Sequence, residues 1–390
     1  MNKIYLFTAA FAVMASLSGC SDTELASIDT VQEKTPIGFH TVGSQMESRA
    51  TIINNGEDLK STTFNVYAFN RKDDGTDDAV FMGTNDEEHG YSGVNISYQD
   101  GKWNYTSSAD LKYWPTSALN FYAVSPVSDH NIFSWQISQK KKEISVFTSD
   151  EYDEYDEHGH PKDNPDNIDV MYAISKNQTK SLHGGTVHMQ FRHVLSQVAF
   201  NARTQTANMK VIIEGVKICN VNFSGTFTLP PTEDADPTQG NWTLSALPLS
   251  NFTAVKGKSI DIGNTDKEVS IDGPMLFIPQ KLTKWATTAA SPKTTDQADN
   301  DKQSYLEISC KIKLDGSYII GDENNFGKLY VPFGADWQPG KRYVYTLIFG
   351  GGYDKDGNPI LQPINFDPSV EDWVNVDDNT STDKDIPLYQ

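Results

Sequence analysis

Apolar and polar residues alternate with a period of two along most of the chain, and this pattern predicts β-strands. The clearest runs are 64–69, 119–124, 187–191, 211–218, 275–278, 306–314 and 343–349. Turn sequences such as Asp100-Gly101 and Asp315-Gly316 lie between runs of this kind, and no long segment repeats with a helical period. Many short strands joined by such turns predict a mainly β protein built of β-sandwich modules.

The length of 390 residues predicts two domains, since single cores stop growing below this size. Three polar segments are predicted to be a tether or solvated loops: 21–35, 150–167 and 287–303. The polar, glycine-containing stretch 176–185 separates two strand runs. We therefore expect an N-terminal β-sandwich domain over 50–183 and a C-terminal one over 184–390.

The N-terminus has the pattern of a lipoprotein signal peptide. Lys3 precedes an apolar run over 4–17, which is shorter than the about 20 residues that span a bilayer. The run ends in Leu17-Ser-Gly-Cys20, where small residues stand directly before a cysteine. This predicts a signal peptide over 1–19 and lipidation of Cys20; an ordinary secretory peptide with a chance cysteine is the alternative. The acidic stretch 21–24 resembles the surface-export tag of Bacteroidetes lipoproteins, which predicts the outer face of the outer membrane.

The charge balance excludes one class of partner. The chain has 52 acidic and 32 basic residues and a formal net charge of −20. Nucleic-acid binding requires clustered Lys and Arg, so it is excluded. No apolar run after residue 17 is long enough to span a membrane, which leaves the lipid as the predicted anchor.

Two cysteines follow Cys20. Cys310 shares the apolar positions of the alternating run 306–314, so we expect it on the buried face of a strand. Cys219 lies in another β-like run. The two form either a disulfide, which an oxidising compartment permits, or two separate core cysteines, which is the commoner case.

The chain contains two chance matches to catalytic motifs. Ser138-Gln-Lys-Lys141 matches Ser-x-x-Lys but lies in a lysine run typical of an exposed turn. Ser128-Asp-His130 are adjacent, whereas triad members meet in space from separate elements. The chain has no His-Glu-x-x-His, no Gly-x-Ser-x-Gly and no phosphate-binding glycine loop. We predict that the protein is not an enzyme and uses no cofactor.

Two acidic segments contain residue types that ligate metal ions. The first supplies Asp153, Asp156, Glu157, His158 and His160. The second, 354–358, resembles the opening of a calcium loop, but it lacks a carboxylate at its fifth position and has Asn365 at its twelfth. We therefore predict a solvated loop and a hairpin turn, and no metal site.

The aromatic content raises an alternative function. The tryptophans are Trp103, Trp114, Trp135, Trp242, Trp285, Trp337 and Trp373. Aromatic platforms stack on sugar rings, so a carbohydrate-binding surface lipoprotein that does not polymerise is the alternative. Large aromatics are more often core residues, especially next to apolar strands, as Trp114 and Trp373 are.

One ordered set of motifs points to a family. Its members are Pro36-Ile-Gly-Phe39, Glu47-Ser-Arg-Ala-Thr51, the run 64–69, Tyr113-Trp-Pro115 with 119–123, Asp169-Val-Met-Tyr-Ala173, Val187-His-Met-Gln-Phe-Arg-His193, Phe277-Ile-Pro-Gln280 and Trp337-Gln-Pro-Gly-Lys-Arg-Tyr343. In order and spacing these resemble the Bacteroidales fimbrillin family, the subunits of type V pili, over nearly the whole mature chain.

The resemblance implies two tandem transthyretin-like β-sandwich domains and assembly by donor-strand exchange. A trypsin-like protease would cut after Arg49, before Ala50, and release the segment 20–49 with its lipid. That segment is the tether plus a removable first strand, in which Ile37 and Phe39 alternate. A strand from a neighbouring subunit would then fill the groove. The alternative is that Arg49 is an exposed linker residue without a role.

The resemblance also implies the partners and the location. The implied partners are other fimbrial subunits and, before processing, the outer membrane, which the lipid enters. A receptor on a host or bacterial surface is a further candidate partner. The Arg49-Ala50 match argues against an anchor subunit, which keeps its lipid. Pro359, Pro363 and Pro368 interrupt the C-terminal run 360–370, and 374–390 is mostly polar. We therefore predict a tip or tip-proximal subunit rather than a shaft subunit.

Overall fold

The alternating sequence runs form β-strands in the computed structural model. The structure describes residues 34–41, 56–83, 92–127, 133–148, 168–246, 249–257, 259–270, 273–350, 352–361 and 365–373.

Short strands make up most of the chain. Those before residue 194 are β1 (Gly38–Thr41), β2 (Thr63–Arg71), β3 (Asp77–Met82), β4 (Val94–Gln99), β5 (Lys102–Tyr105), β6 (Leu119–Ser125), β7 (Phe133–Ile137), β8 (Lys142–Phe147), β9 (Met171–Gln178), β10 (Thr186–Met189) and β11 (Arg192–His193). Those that follow are β12 (Ser196–Thr204), β13 (Met209–Val221), β14 (Ser224–Thr228), β15 (Trp242–Leu244), β16 (Ser250–Val255), β17 (Ile260–Ile262), β18 (Lys267–Glu268), β19 (Met275–Phe277), β20 (Lys281–Leu282), β21 (Tyr305–Leu314), β22 (Ser317–Ile320), β23 (Gly327–Pro332), β24 (Ala335–Asp336), β25 (Lys341–Phe349), β26 (Gly352–Tyr353), β27 (Pro359–Leu361) and β28 (Asn365–Asp372).

Helices are few and short in the described part of the chain. They are α1 (Gly56–Lys60), α2 (Thr295–Asn300) and 3-10 turns at Ser108–Asp110, Leu182–Gly185 and Gln239–Asn241. None of these helices is long and apolar enough to cross a membrane. The prediction of a structureless loop over 287–303 is wrong for α2. Thr294 caps the helix by accepting from the Gln297 N–H, and Ala298 is fully buried.

The hairpin turns follow the predicted chemistry. Asp100 and Gly101 both take positive φ, 53° and 80°, between β4 and β5. Asp315 and Gly316 do the same, at 50° and 84°, between β21 and β22. Two successive left-handed residues define the tight turn whose twist matches that of paired strands, and Asp-Gly adopts it readily.

The strands form four main sheets. The first has the order β10-β1-β5-β4-β2-β6-β9-β11, with β3 also on β2, and the second has the order β15-β14-β8-β7. The third is β18-β12-β25-β28, with β19 also on β12. The fourth is β16-β13-β21-β23-β26-β27, with β17 on β13 and β22 on β21. β20 and β24 form a separate pair.

The first sheet curls on itself. In sheet order, β1 and β6 are four strands apart, which is about 19 Å in a flat sheet. The ring centroids of Phe39 in β1 and Phe121 in β6 are nevertheless 6.2 Å apart. The sheet therefore wraps around a core of its own, to which Phe64, Val66 and Ala68 of β2 contribute alternate side chains.

Two further cores lie between sheets. Tyr67 and Phe69 point to the other face of β2 and pack with Ile144 and Phe227 of the second sheet. A further core joins the third and fourth sheets, where Phe200 and Ile308 are fully buried. Since apolar faces of facing sheets are buried against each other, the prediction of a mainly β, sandwich-type fold is confirmed.

Strand pairing crosses the expected boundary near residue 183. β14 pairs with β8 from Ser224↔Phe147 to Thr228↔Glu143, so β14 and β15 of the second half share one sheet with β7 and β8 of the first half. Described residues from Thr35 onward belong to one compact unit. Two domains at 50–183 and 184–390 remain a prediction.

Cys219 and Cys310 are both buried and free. In the ladder between β13 and β21, Cys219 pairs with Tyr305, and Cys310 pairs with Ile213. Five residues of strand separate the two rows, about 17 Å, which a disulfide cannot span. The two cysteines are separate core residues.

Two of the three C-terminal prolines lie inside strands, so the expectation that they interrupt extended structure is wrong for them. Pro359 begins β27, and Pro368 lies within β28 opposite Tyr345. Both strands are at sheet edges. An edge strand needs only alternate N–H groups for its single neighbour, so it tolerates a residue without one. Pro363 lies outside the described residues.

Candidate functional site

β1 is an interior strand of the first sheet although it lies near the N-terminal end of the described chain. It pairs in parallel with β10, from Gly38↔Thr186 to Thr41↔Met189. On its other side it pairs antiparallel with β5, where Phe39 lies opposite Trp103. Without β1, the edges of β10 and β5 would face each other across a gap one strand wide. The gap between β10 and β5, which β1 fills in this structure, is called the β1 groove below.

Alternate side chains of β1 and its entry are buried in the core of the first sheet. Ile37 is 1% exposed, Phe39 6% and Thr41 0%. Phe39 lies edge-on to Tyr105, with ring centroids 5.7 Å apart. It is also edge-on to Phe64 at 6.4 Å, so it touches rings from two strands. The alternation predicted for Ile37 and Phe39 is observed, and Thr41 extends the same row.

Hydrogen bonds hold the segment at both ends. At its start, the Ile37 N–H donates to the Lys112 carbonyl at 2.9 Å, and the Trp114 N–H donates to the Thr35 carbonyl at 3.0 Å. At its end, Trp103 Nε1 donates to Thr41 Oγ1 at 2.8 Å. These bonds come from residues that would remain in the body if β1 were removed.

Tyr105 adds a further contact. Its hydroxyl donates to the Ile37 carbonyl at 3.1 Å. Burial raises the pKa of Tyr105 to about 12, so the hydroxyl keeps its proton at neutral pH. It therefore remains a donor to whichever backbone carbonyl lies at this place.

Local sequence explains why this segment is extended and tightly fitted. Pro36 fixes its own φ and disfavours helix for the residue before it, and it forms an isolated bridge with Tyr113. Gly38 lies close to β10, because a Cβ there would be 3.3 Å from Thr186 Oγ1. A larger residue at 38 would require that neighbour to move.

Three histidines lie beside the outer side of β1. His40 is the ladder partner of His188 in β10, and their ring centroids are 5.2 Å apart. His183 stacks on His188 at 4.0 Å. Burial, followed by the charges of His183 and His40, lowers the pKa of His188. No sequence motif marks these histidines as a group; the alternation of 187–191 indicates only that His188 lies on the polar face of a strand.

The other predicted site residues lie outside the described ranges. These are the lipidation residue Cys20, the cleavage pair Arg49 and Ala50, and the acidic segment with Asp153, Asp156, Glu157, His158 and His160. The Ser128-Asp-His130 coincidence also lies outside them. Of the predicted site, the structure therefore places Ile37 and Phe39.

The remaining catalytic and metal coincidences are turns. Ser138 and Lys141 close the β7–β8 hairpin, where the Ser138 N–H donates to the Lys141 carbonyl at 2.8 Å. The Asp354 carboxylate accepts N–H bonds from Asp356 and Asn358. Among the described residues, no three His, Cys, Asp or Glu side chains are grouped to hold a metal ion.

The tryptophans do not form an exposed platform. Trp103, Trp242, Trp285, Trp337 and Trp373 are buried, and Trp114 and Trp135 are half-buried. Several make structural hydrogen bonds, such as Trp242 Nε1 to the Val194 carbonyl at 3.0 Å. The interpretation of these residues as core is confirmed.

Fold and site together define a class: a mainly β protein in which an N-terminal strand lies between two other strands of a sheet. The family model described as fimbrillin-like matches residues 48–373. The chain belongs to this family, as the sequence motifs predicted. It is a fimbrial structural or adhesive subunit of the cell surface and not an enzyme.

One solved structure that the chain matches shares its fold. A fimbrial protein from Bacteroides vulgatus aligns with a TM-score of 0.53 at 15% identity, covering 87% of this chain and 99% of that one. The tip fimbrial protein Mfa3 from Porphyromonas gingivalis, with a C-terminal truncation, aligns with a TM-score of 0.40 at 11% identity, covering 87% and 100%. No curated protein sequence matches the chain.

Proposed function

We propose that this fimbrial subunit assembles by donor-strand exchange, after a protease cuts between Arg49 and Ala50 and removes the lipidated segment 20–49. The position of β1 carries the proposal. β1 lies upstream of Arg49 in the sequence, yet it is an interior strand that fills a row of the first sheet. Cleavage in the connection after Thr41 would leave β1 held only by non-covalent contacts.

Loss of β1 has a large physical consequence. The facing edges of β10 and β5 would present unpaired N–H and C=O groups, and the pockets of Ile37 and Phe39 would open to water. Burying each of these side chains contributes about 1.5–3 kcal/mol. A strand from another subunit restores both the ladder and the burial, which is the driving force for assembly.

N-terminal sequencing of protein sheared from cells tests the cleavage. We expect the sheared protein to begin at Ala50, and the Arg49→Ala variant to keep its lipidated N-terminus and stay out of fimbriae. Arg71→Ala is the matched control, because it removes an arginine near the start of the domain and should leave processing unchanged. A sheared wild-type protein that retains Cys20 would contradict the proposal.

Lipidation is tested separately. Cys20→Ser should abolish incorporation of a palmitate analogue and release the unprocessed protein from the membrane. The buried Cys310 provides the control, since Cys310→Ser should leave labelling intact. Labelling that persists in Cys20→Ser would contradict lipidation of this residue.

We further propose a tip or tip-proximal position. The segment Asn365–Asp372 supports it, because this segment pairs with β25 of its own chain over eight residues from Lys341↔Asp372 to Ile348↔Asn365. It is therefore occupied, and a donor strand would have to come from 374–390. That segment is mostly Asp, Asn, Thr and Ser and has few apolar residues to fill a groove.

Mixing the cleaved protein with itself tests the position. We expect no ladder of oligomers that resists mild SDS. Self-polymers that disappear when 374–390 is deleted would make the protein a shaft subunit.

A further inference from the structure

The segment 37–41, which is β1 with the residue before it, has three inward side chains, and the third of them is polar. Thr41 is 0% exposed, and its hydroxyl oxygen accepts a hydrogen bond from Trp103 Nε1 at 2.8 Å. The indole of Trp103 is itself 5% exposed. The inward row therefore consists of a large aliphatic residue, an aromatic residue and a hydroxyl, at Ile37, Phe39 and Thr41.

Trp103 belongs to the body of the protein and not to the removable segment. It lies in β5, opposite Phe39, and it packs against Phe64 with ring centroids 4.9 Å apart. The indole N–H can donate a hydrogen bond but cannot accept one. A strand that fills this position with an aliphatic side chain would bury the N–H without an acceptor, which is costly.

We propose that the β1 groove selects its incoming strand by a hydrogen-bond acceptor at the position of Thr41, which Trp103 reads. This inference rests on the proposed function, in which a donated strand refills the groove. The ligand is an extended peptide with a large aliphatic residue, a large aromatic or apolar residue and Ser or Thr at alternate positions. A small residue in the place of Gly38 fits best, given the 3.3 Å approach of Thr186 Oγ1.

The C-terminal segment of this chain fits that description poorly. The window 374–378 has Val374 and Val376 at alternate positions but brings Asp378 to the place of Thr41, where a buried carboxylate is costly. The window 386–390 brings Gln390 there, but it puts Pro387 in the place of Gly38, which pairs with Thr186. An interior strand has neighbours on both sides and does not tolerate a missing N–H as an edge strand does. The β1 groove therefore takes its strand from a subunit with a different sequence and not from another copy of this chain.

Peptide exchange tests the selection. The unprocessed chain without its signal peptide is made with the site of a sequence-specific protease within 42–50, folded and then cut, so that β1 starts in place and natural cleavage is not required. Labelled peptides spanning 33–45 then compete for the groove. The set contains the native sequence, Thr41→Ser, which keeps the hydroxyl, and Thr41→Val, which keeps the shape but has no acceptor.

We expect the native and Thr41→Ser peptides to bind within about twofold of each other, and the Thr41→Val peptide at least about fivefold more weakly. In the body variant Trp103→Phe, which has no N–H, the difference between Thr and Val should shrink to about twofold or less. Equal binding of the Thr and Val peptides to the wild-type body would overturn the proposal. So would a Val penalty that persists at full size in Trp103→Phe.

Folding of the variants is controlled in the uncut chain. Thr41→Val, Trp103→Phe and the double variant form a cycle in which the double variant should lose less stability than the two single losses combined. Strict additivity would mean that the two side chains do not recognise each other, and it would also overturn the proposal. Failure of cleavage at Arg49 in cells would affect the proposed function and leave these binding results unchanged.

Discussion

At the scale of single residues, Lys142 of β8 and Asp77 of β3 form a charged pair that joins the first and second sheets. Lys142 Nζ lies 2.8 Å from an Asp77 carboxylate oxygen, and the side chains are 15% and 6% exposed. The ammonium also lies over the rings of Phe69 and Tyr122, at 4.7 and 4.8 Å. Burial lowers the pKa of Lys142, and the hydrogen bond from Lys142 to Asp77 opposes this effect. The pair is stable only because each charge has a partner.

Lys142→Met should therefore destabilise the protein by about 3–5 kcal/mol, because it leaves the Asp77 carboxylate buried without its counter-ion. Urea unfolding at neutral pH measures the change. Lys141→Met is the matched control. Lys141 lies next to Lys142 in the sequence. Its side chain is exposed and forms an ion pair with Glu143, so the loss of stability in Lys141→Met should stay below about 1 kcal/mol. Equal losses in the two variants would contradict this account.

The histidines beside β1 predict a pH dependence. His188 has a lowered pKa in the folded protein, so its contribution to stability is present above its ordinary pKa of 6.5. It is lost as the pH falls through the lower, folded-state pKa, because the unfolded chain takes up the proton first. His188→Gln should flatten the loss of stability between about pH 7.5 and pH 5, as measured by urea unfolding at several pH values.

His183→Gln serves as the graded comparison for that measurement. It removes one repelling neighbour but leaves the burial of His188, which is the larger cause of the shift. The pH dependence should then fall between those of the wild type and His188→Gln. If the stability of His188→Gln fell more steeply than that of the wild type as the pH is lowered, the result would contradict a lowered pKa of His188 in the folded protein.

At the scale of elements, Phe39 anchors β1 in a pocket of aromatic neighbours. Phe39→Ala in the uncut chain should cost about 3–5 kcal/mol, since it leaves a cavity among Phe64, Tyr105 and Phe121. Hydrogen exchange should show the loss of protection at β10 and β5 rather than in the third sheet.

Tyr113→Ala is the control for that variant. Tyr113 forms the bridge beside Pro36, but its side chain is 42% exposed, so the change should cost less than about 1 kcal/mol. Unchanged exchange at β10 in Phe39→Ala would mean that β1 does not depend on this pocket.

Strand predictions succeeded where alternation was long, and they were less informative where pairing mattered. The run 306–314 lies within β21 with Cys310 fully buried, as its alternation predicted. The short pattern Ile37-Gly-Phe39 could not indicate that β1 lies between β10 and β5. Those partners are far apart in the sequence, and pairing depends on contacts that no local window contains.

At the scale of the whole molecule, the last described residue ties together parts from different sheets. Trp373 follows β28 of the third sheet, yet it packs in the core shared by the first and second sheets. Its ring stacks on His193 with centroids 3.7 Å apart, and His193 is hydrogen-bonded to the buried Asp169 at 2.9 Å. The end of β28 is therefore fixed to the N-terminal half of the fold.

Trp373→Ala should destabilise the first sheet by about 3 kcal/mol, although the residue follows a strand of the third sheet. Hydrogen exchange at β9 and β11 measures the effect. Val370→Ala is the control on the same strand, because Val370 is 58% exposed and its loss should stay within about 0.5 kcal/mol. A loss of protection confined to β25 and β28 would contradict the link between the halves.

The sequence by itself determined the mainly β class, the positions of the long strands, the Asp-Gly hairpins and, through its ordered motifs, the fimbrillin-like family. These features depend on local alternation and on turn residues, which a linear reading contains. The tertiary structure alone decided that β1 is an interior strand, that Thr41 meets Trp103, that Pro359 and Pro368 lie in edge strands, and that β14 of the second half pairs with β8 of the first half. Each depends on which strands become neighbours, and that is set by burial of faces between residues distant in the sequence.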